Sequence, residues 1–398
     1  MLRERLPVVA RRVLGVEAWD HGWDRAARNR TNAAPDGQRS DQGGPPMPDH
    51  ETNRPRRTRV PSAARQWLWI GGAAVVVIAV VAAVALWLPN RPNGPDGRHI
   101  VERKSAAQAF PGGLARQPAN ENQPGMRESA ARQDGEQDTA DRIAVIADQP
   151  IATWLTNPSV TQTRETIRDV VSNARKQDRT PVFVLYNVPD RDCGHYSKGG
   201  TTASEYVPWV RSAVRAMAGS KAVVLVEPDA IAQIQVCKRL QDSRLPLLRK
   251  AVDALTGHGL TVYLDGGNEN RVPTASMAKW LREAGIDETQ GFFTNVSNFY
   301  RVDQERAYAD RLADAVGGDP HFVIDVSRNG QGWRGDWCNP KGAGLGQDPH
   351  VTAGSSRLDA LLWVKTPGLS DGTCNGGPAA GQWWESYALA LVENRKGD

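Results

Sequence analysis

The chain has 398 residues, of which 24% are charged and 40% hydrophobic, and its formal net charge is +4. A charge this small on a chain this long gives no reason to expect a nucleic-acid partner. The length allows one large domain together with additional segments.

The first part of the chain, residues 1–66, is rich in arginine, aspartate, proline and glycine and has few apolar runs. This composition predicts a disordered, basic segment that stays in the cytoplasm. Met47 begins a shorter basic stretch and is a second candidate for the natural start. The mass of the native protein distinguishes the two starts.

An uncharged apolar run, residues 67–88, follows this segment. Roughly 20 apolar residues in a helix cross the hydrocarbon core of a bilayer, and the run lacks the polar stripe of a soluble amphipathic helix. Arginines crowd its N-terminal side, which places the residues after Leu88 outside the cytoplasm. We expect a transmembrane signal anchor with an extracellular catalytic domain. Cleavage at Ala83-Val84-Ala85, which would give a secreted protein, is the alternative.

Residues 89–140 are polar and interrupted by proline and glycine, which predicts a linker. From residue 141 to 398, short apolar runs alternate with longer amphipathic ones. The predicted strands are Val182–Tyr186, Ala222–Val226, Thr261–Leu264, Phe292–Asn295, Phe322–Ile324 and Leu361–Val364, and the predicted helices are Val160–Lys176, Ser204–Ala218, Leu245–Thr256, Ser276–Ala284 and Gln304–Val316. This alternation predicts a parallel sheet covered by helices, and about 250 residues suit a single α/β barrel. An open doubly wound sheet is the alternative, although no G-x-G-x-x-G sequence opens the first strand–helix junction.

All four cysteines, Cys193, Cys237, Cys338 and Cys374, lie after the apolar run. An even number of cysteines outside the cytoplasm predicts disulfides, and four cysteines allow three pairings. Because no C-x-x-C, H-x-H or H-E-x-x-H spacing occurs, we expect no zinc site and no cofactor.

Polar residues follow each of the six predicted strands. In chain order they are Asp192, Glu227 with Asp229, Asp265, Asn295, Asp325 with Arg328, and Lys365 with Asp371. The carboxyl ends of parallel strands in a barrel open on one face, where active sites form. Carboxylates gathered there raise one another's pKa values, which provides the acid that a glycosidase needs. A helix cap or turn explains any single residue equally well, but the recurrence over six strands favours a site.

Three tryptophans, Trp154, Trp333 and Trp337, lie in loop-like contexts. Their indole faces suit the apolar faces of sugar rings, although core packing is the commoner role of a tryptophan. Trp383 and Trp384, at the start of the last helical segment, are assigned to packing.

Six motifs together resemble glycoside hydrolase family 6, the inverting cellulases. They are Y-N-V-P-D-R-D-C at Tyr186–Cys193, V-E-P-D at Val226–Asp229, Y-L-D-G-G at Tyr263–Gly267, T-N-V-S-N at Thr294–Asn298, G-D-W-C-N at Gly335–Asn339 and W-V-K-x-x-G-x-x-D-G-T at Trp363–Thr373. The resemblance spans residues 145–395 and implies a distorted α/β barrel that hydrolyses β-1,4-glucan with inversion. It also implies that Cys193 pairs with Cys237 and Cys338 with Cys374. We expect the protein to be a monomer.

The resemblance implies a role for each matching residue. Asp229 matches the general acid, and Asp192 matches the aspartate that raises the pKa of the acid and orients water. Asp371 matches the aspartate proposed as the base, and Tyr186 and Ser197 match residues near the cleaved sugar and its water. Sugar-binding and cleft positions are matched by Trp154, Trp337, Lys365, Asp265, Asn295 and Arg328.

The chain departs from the family pattern at Asn268, Arg271 and Leu369, where His, Trp and Glu are common. Another β-glucan is therefore an alternative substrate. An inactive glycan-binding protein is a second alternative, which the retained aspartates argue against. Only a short segment separates Asp371 from Trp383, where cellobiohydrolases of this family have a long loop that roofs the active site. The resemblance thus implies an open cleft and an endo-β-1,4-glucanase.

Overall fold

The computed structural model describes residues 101–395. The predicted basic segment 1–66, the predicted signal anchor 67–88 and the start of the predicted linker lie outside the described residues. Between residues 101 and 395, no helix has the length and apolar character needed to cross a bilayer.

Helices and strands alternate along most of the described chain. The helices are α1 (Ala106–Ala109), α2 (Gln123–Gln133), α3 (Gln137–Ala147), α4 (Val160–Gln177), α5 (Ala203–Met217), α6 (Gln241–Thr256), α7 (Thr274–Ala284), α8 (Val302–Val316) and α9 (Glu385–Glu393). The strands are β1 (Thr153–Leu155), β2 (Val182–Leu185), β3 (Val223–Val226), β4 (Thr261–Asp265), β5 (Gly291–Thr294), β6 (His321–Asp325), β7 (His350–Val351) and β8 (Leu358–Leu362). Each predicted helix and strand therefore has a counterpart, with ends shifted by a few residues.

All of these strands belong to one curled sheet, in the order β1-β2-β3-β4-β5-β6-β8-β7. Neighbouring strands from β1 to β6, and β6 with β8, pair in parallel, whereas the short β7 runs antiparallel to β8. The sheet curls until its edges meet: Ile151, before β1, bridges Trp363, after β8. Because β1 to β6 follow one another in chain order, without the reversal in mid-sheet that a doubly wound fold has, the doubly wound alternative is wrong.

The two faces of the sheet form two separate cores, as β2 illustrates. Successive strand residues point to opposite faces. Phe183 and Leu185 pack outward beneath the helices, whereas Val182 and Val184 pack inside the curl. All four side chains are buried, which explains why β2 reads as a continuous apolar run rather than an alternating one.

The predicted linker differs from the structure between residues 101 and 140. Phe110, only 1% exposed, enters the interior of the curled sheet, where its ring centroid lies 6.3 Å from that of Tyr263. Leu114 bridges Thr180, just before β2, so this segment fills the end of the sheet opposite the strand carboxyl ends. The composition resembles a linker because its few apolar residues are isolated in sequence. The surface that buries them belongs to strands much later in the chain.

The strand β8 begins at Leu358, three residues before its predicted start. The prediction missed these residues because they include a carboxylate, Asp359, which is buried. The Tyr263 hydroxyl donates to its Oδ2 at 2.6 Å, and His321 Nδ1 lies 2.7 Å from its Oδ1. Aspartate is disfavoured in strands, and these hydrogen bonds offset the cost of burying it. The strands β1 and β7, three and two residues long, were not predicted because runs so short show no periodicity.

Candidate active site

A cleft of about 860 Å³ lies at the carboxyl ends of the strands. The predicted site residues that line it are Trp154, Tyr186, Asp192, Ser197, Asp229, Trp337, Lys365 and Asp371. A volume of this order suits a small ligand or several sugar units. Trp333, which is 41% exposed and stacks on Tyr300 with ring centroids 5.2 Å apart, is not among the lining residues.

Asp229 reaches the cleft through a sharp turn at the end of β3. Glu227 and Asp229 both have positive φ, at 52° and 67°, and Pro228 between them cannot extend the strand ladder. The Glu227 side chain turns inward, where its carboxylate accepts the backbone N–H groups of Asn187 at 3.0 Å and Val188 at 3.1 Å. Glu227 therefore ties the end of β3 to the end of β2, and Asp229 is the acid presented to the cleft.

The Asp229 carboxyl lies among other charged groups. Its side chain is 39% exposed, and Arg271 Nη2 lies 3.7 Å from its Oδ1. Burial raises the pKa of Asp229, Arg271 opposes the rise, and the charge of Asp192 adds to it. Asp265, buried nearby, has a pKa raised to about 7 by burial and by the charge of Asp229.

Asp192 lies on the loop that follows β2. Its Oδ2 accepts the Ser197 N–H at 2.7 Å, and its Oδ1 accepts Gln233 Nε2 at 3.1 Å. The disulfide between Cys193 and Cys237 joins this loop to the segment after β3, which confirms the first predicted pairing. Both carboxylate oxygens of Asp192 are therefore oriented before any ligand arrives.

Tyr186 and Trp154 form one wall of the cleft. Their rings meet edge to face, with centroids 5.0 Å apart and planes at 88°. The Trp154 indole N–H donates to the Val364 carbonyl at 2.7 Å, which fixes its ring. Burial, together with the charges of Asp229 and Asp192, raises the pKa of Tyr186 far above its usual range, so its hydroxyl remains protonated.

Asp371 is held by two cations. Arg328 Nη1 lies 2.8 Å from its Oδ2 and Lys365 Nζ lies 3.0 Å from its Oδ1, while the Asn339 N–H donates to Oδ2 at 3.0 Å. Burial alone would raise the pKa of Asp371, but Arg328 and Lys365 lower it below its ordinary value. The disulfide between Cys338 and Cys374 holds this loop and confirms the second predicted pairing.

Three predicted site residues, Asp265, Asn295 and Arg328, are almost fully buried and do not line the cleft. The Asp265 carboxylate accepts the Gly267 N–H at 2.9 Å, and Asn295 Nδ2 donates to the Asp325 carbonyl at 2.9 Å. Arg328 holds Asp371 and donates to the Ser297 carbonyl at 2.8 Å. These three residues were predicted to contact sugar. In the structure they lie beneath the cleft and hold the residues that line it.

The loop that carries Asp192 reaches across to the loop that carries Asp371. Tyr196 packs against Gly372 so closely that a Cβ atom there would lie 2.6 Å from the Tyr196 ring. The Tyr196 ring also lies 6.1 Å from that of Trp337, and both side chains are nearly half exposed. These exposed rings give the cleft an aromatic surface on which a sugar ring can stack.

Four residues that complete the site had no predicted role. They are Arg271, beside Asp229; Gln233, on Asp192; Tyr196, on Gly372; and Asn339, on Asp371. Asn339 ends the G-D-W-C-N motif and Arg271 is a departure from the family pattern, so the sequence indicated that both positions belong to the site. Nothing in the sequence around Gln233 or Tyr196 indicates their contacts.

The arrangement supports acid–base chemistry on a carbohydrate. Asp229 offers a carboxyl with a raised pKa that water and ligand can reach, and Asp371 supplies a carboxylate that stays ionised. An acid of raised pKa and a separate ionised carboxylate are what hydrolysis of a glycosidic bond requires.

Comparisons with known proteins agree with this chemistry. A family model described as Glycosyl hydrolases family 6 matches residues 115–395. Endoglucanase A of Cellulomonas fimi is 41% identical over 252 residues, which are 63% of this chain and 56% of that protein. The chain therefore spans little more than half the length of that relative. Endoglucanase 1 of Streptomyces halstedii is 35% identical over 275 residues, covering 66% of this chain and 84% of that protein.

A solved structure has the same fold. The endoglucanase Cel6 from Mycobacterium tuberculosis, in complex with methyl-cellobiosyl-4-deoxy-4-thio-β-D-cellobioside, is similar with a TM-score of 0.65 and 34% identity. The match covers 70% of this chain and 97% of that chain.

Proposed function

The chain belongs to glycosyl hydrolases family 6, and from that premise we propose that it is an inverting endo-β-1,4-glucanase. One observation carries the proposal: Asp229, with its raised pKa, and Asp371, held ionised by two cations, line the same cleft. The similar endoglucanases of Cellulomonas and Streptomyces support the choice of substrate.

In the proposed reaction, Asp229 donates its proton to the glycosidic oxygen as the bond to the anomeric carbon breaks. Water attacks that carbon from the opposite face, so the new reducing end has the inverted configuration. Burial raises the pKa of Asp229 and the charge of Asp192 adds to the rise. Ser197, on the same loop as Asp192, and the protonated Tyr186 hydroxyl line the cleft and are assigned to the attacking water.

Asp371 is proposed as the carboxylate on the water's side. Because its pKa is lowered while that of Asp229 is raised, Asp371 can be ionised at a pH at which Asp229 still holds its proton, as a base must be. The same ion pairs make it a weak proton acceptor, so proton uptake requires that the contact with Lys365 or Arg328 loosen.

Sugar binding is assigned to Trp154, Trp337 and Lys365, which line the cleft. Trp337 is 46% exposed and offers a face for stacking. Asp265, Asn295 and Arg328 are proposed to position these groups from beneath.

Internal cleavage is supported by the segment after Asp371. Leu369 and Trp383 form an antiparallel bridge, and the Ser370 N–H donates to the Gln382 carbonyl at 2.9 Å. The residues between them fold back as a compact loop, of which Ala380 and Gly381 line the edge of the cleft. A long chain can then bind across the open cleft and be cut at internal bonds.

A second candidate is the hydrolysis of another β-glucan. Arg271 and Leu369, two of the departures from the family pattern, both line the cleft and change its charge and shape. Comparing rates on β-1,4-glucan and on mixed-linkage β-glucan distinguishes the two substrates, and a higher rate on the second would favour this candidate.

The location is proposed from the sequence of the N-terminal part. Residues 67–88 would anchor the protein in the membrane, with residues 1–66 in the cytoplasm and the catalytic domain outside, unless cleavage releases it. Fractionation of cells, with detection of the catalytic domain, tests this, and recovery in the cytosol would contradict it. Light scattering tests the proposed monomeric state.

The proposed activity is tested by incubating the full chain with soluble carboxymethyl-cellulose and following viscosity and reducing ends. We expect a rapid fall in viscosity at few new reducing ends, and a loss of at least about a hundredfold in rate for Asp229→Asn. Glu283→Asn, a change to a surface carboxyl on α7, is the control. Reducing ends that accumulate without a fall in viscosity would contradict endo action.

A further inference from the structure

Arg271 lies at the mouth of the cleft, beside the proposed acid. Its side chain is 41% exposed and lines the cleft, and its Nη2 is 3.7 Å from Asp229 Oδ1. A group so close to the acid also lies close to the glycosidic oxygen that receives the proton, and therefore to the sugar on the leaving-group side.

The turn that carries Arg271 is held from below by α8. The Tyr308 hydroxyl donates to the Gly266 carbonyl at 2.6 Å, and the Glu305 carboxylate accepts the Glu269 N–H at 3.1 Å. The Arg271 N–H itself donates to the Asn268 carbonyl at 3.1 Å. The backbone of Arg271 is thus fixed, and its guanidinium reaches Asp229 from a defined position.

The charged and titratable groups around Asp229 are Arg271, Asp192, Asp265 and Tyr186. Three of them are acidic, and Arg271 is the cation that acts on Asp229 within the described part of the chain. Lys365, which also lines the cleft, pairs with Asp371 instead. Removing Arg271 would therefore leave Asp229 facing acidic groups.

We propose that Arg271 positions the Asp229 carboxylate in the free enzyme and passes to hydroxyls of the leaving-group sugar when the glucan binds. A guanidinium has five N–H donors in a planar fork, enough for both tasks. The ion pair favours the ionised carboxylate, whereas proton donation needs the neutral acid, so the pair must open before the bond breaks. The inference rests on the proposed function, because it assigns Asp229 the role of acid.

The ion pair is tested without any turnover by NMR titration of the Asp229 carboxyl carbon in the full chain. Wild type, Arg271→Gln and Arg271→Lys are compared. Loss of the cation should move the Asp229 midpoint to higher pH in Arg271→Gln, and Arg271→Lys should stay near the wild type. An identical midpoint in wild type and Arg271→Gln would overturn the ion-pair role.

The substrate contact is tested by the pH dependence of kcat/KM on cellohexaose, an uncharged substrate. In Arg271→Gln the alkaline limb should move to higher pH and KM should rise about threefold, as the loss of one hydrogen bond predicts. Arg301→Gln is the matched control, because it removes a similar exposed ion pair, to Asp303 at 3.5 Å, outside the cleft.

The outcomes separate the two proposals. A wild type that hydrolyses cellohexaose, with KM and the alkaline limb unchanged in Arg271→Gln, would overturn the inference alone. A wild type that cleaves no β-glucan would overturn the proposed function and the leaving-group role with it, and the titration would still decide the ion pair.

Discussion

Two carboxyl groups in one cleft have opposite surroundings, and at the scale of single residues this difference determines the chemistry. Burial raises the pKa of Asp229 and the charge of Asp192 raises it further, so its neutral form is favoured. Asp371 contacts Arg328 and Lys365 at 2.8 and 3.0 Å, so its charged form is favoured. The cleft thus holds one carboxyl group with a raised pKa and a second one with a lowered pKa.

The buried ion pair of Asp371 also stabilises the fold. In Asp371→Asn, Arg328, which is fully buried, loses its anionic partner. Removing one partner of a buried pair costs about 3–5 kcal/mol, so the free energy of unfolding in urea should fall by that amount at pH 7. Asp348→Asn, which breaks a more exposed pair with Arg395, should cost less than about 1 kcal/mol.

The same pair predicts a pH dependence with a definite sign. The folded pKa of Asp371 lies below its ordinary value of 3.8. Its stabilisation is therefore complete above the unfolded pKa and is lost as the pH falls through the folded pKa. The difference in unfolding free energy between wild type and Asp371→Asn should shrink on acidification below pH 3.8. A difference that stays constant down to the lowest accessible pH would contradict the assignment.

At the scale of structural elements, α8 supports the turn between β4 and α7 that borders the cleft. Glu305 on α8 is fully buried, and burial raises its pKa to about 7. Its carboxylate accepts the Glu269 N–H at 3.1 Å. The helix thereby holds the turn beside the cleft with a carboxyl group whose pKa is raised to about 7.

Glu305→Gln should change the pH dependence of stability. The unfolded carboxyl loses its proton near its ordinary value of 4.5, whereas the folded one keeps its proton up to about 7. Wild-type stability therefore falls as the pH rises through that window, and the stability of Glu305→Gln relative to wild type should rise over the same window. Urea unfolding at pH 5 and pH 8 measures this. The same difference in unfolding free energy between Glu305→Gln and wild type at pH 5 and at pH 8 would contradict the prediction. Glu283→Gln, at a surface carboxyl, is the control.

The contact between the loop that carries Asp192 and the loop that carries Asp371 is tested at Gly372, where φ is 154° and Tyr196 leaves no room for a Cβ. Gly372→Ala should displace the loop that carries Asp192 and lower kcat/KM about tenfold to a hundredfold. Gly376→Ala is the matched control, since φ there is also positive but nothing lies within 4 Å of the new Cβ. Equal losses in both variants would show that backbone strain, and not the Tyr196 contact, is responsible.

At the scale of the whole molecule, the curled sheet brings residues far apart in sequence to one face and closes the other end with the N-terminal segment. Asp192, Asp229 and Asp371 meet at the carboxyl ends of the strands, while Phe110 and Leu114 fill the interior of the curl. One end of the sheet therefore forms the cleft, and the other end is filled by apolar side chains that stabilise the fold.

Phe110→Ala tests whether the segment before residue 141 belongs to the fold. Removing a fully buried phenylalanine costs about 3–5 kcal/mol, measured as the free energy of unfolding of the full chain. Met126→Ala, at a side chain that is 46% exposed on α2, should cost well under 1 kcal/mol. An unchanged free energy of unfolding in Phe110→Ala would support the interpretation of this segment as a linker.

The sequence predicts the central strands because β2 to β6 are continuous apolar runs bounded by polar residues, and it predicts the cleft because those polar residues follow parallel strands. It fails where a residue depends on distant partners. Asp359 is tolerated in β8 only through Tyr263 and His321, and Phe110 reads as linker until strands surround it. The contact of Arg271 with Asp229 joins the ends of two different strands, and no local pattern reports such a contact.

The central claim is hydrolysis of β-1,4-glucan by direct attack of water, and the anomeric configuration of the first products tests it most directly. Proton NMR of cellohexaose during the first minutes of hydrolysis by the full chain resolves the two anomers of each new reducing end. Inversion predicts that the α-anomer appears first and then equilibrates with the β-anomer. Initial formation of the β-anomer, or intact cellohexaose after prolonged incubation, would contradict the claim.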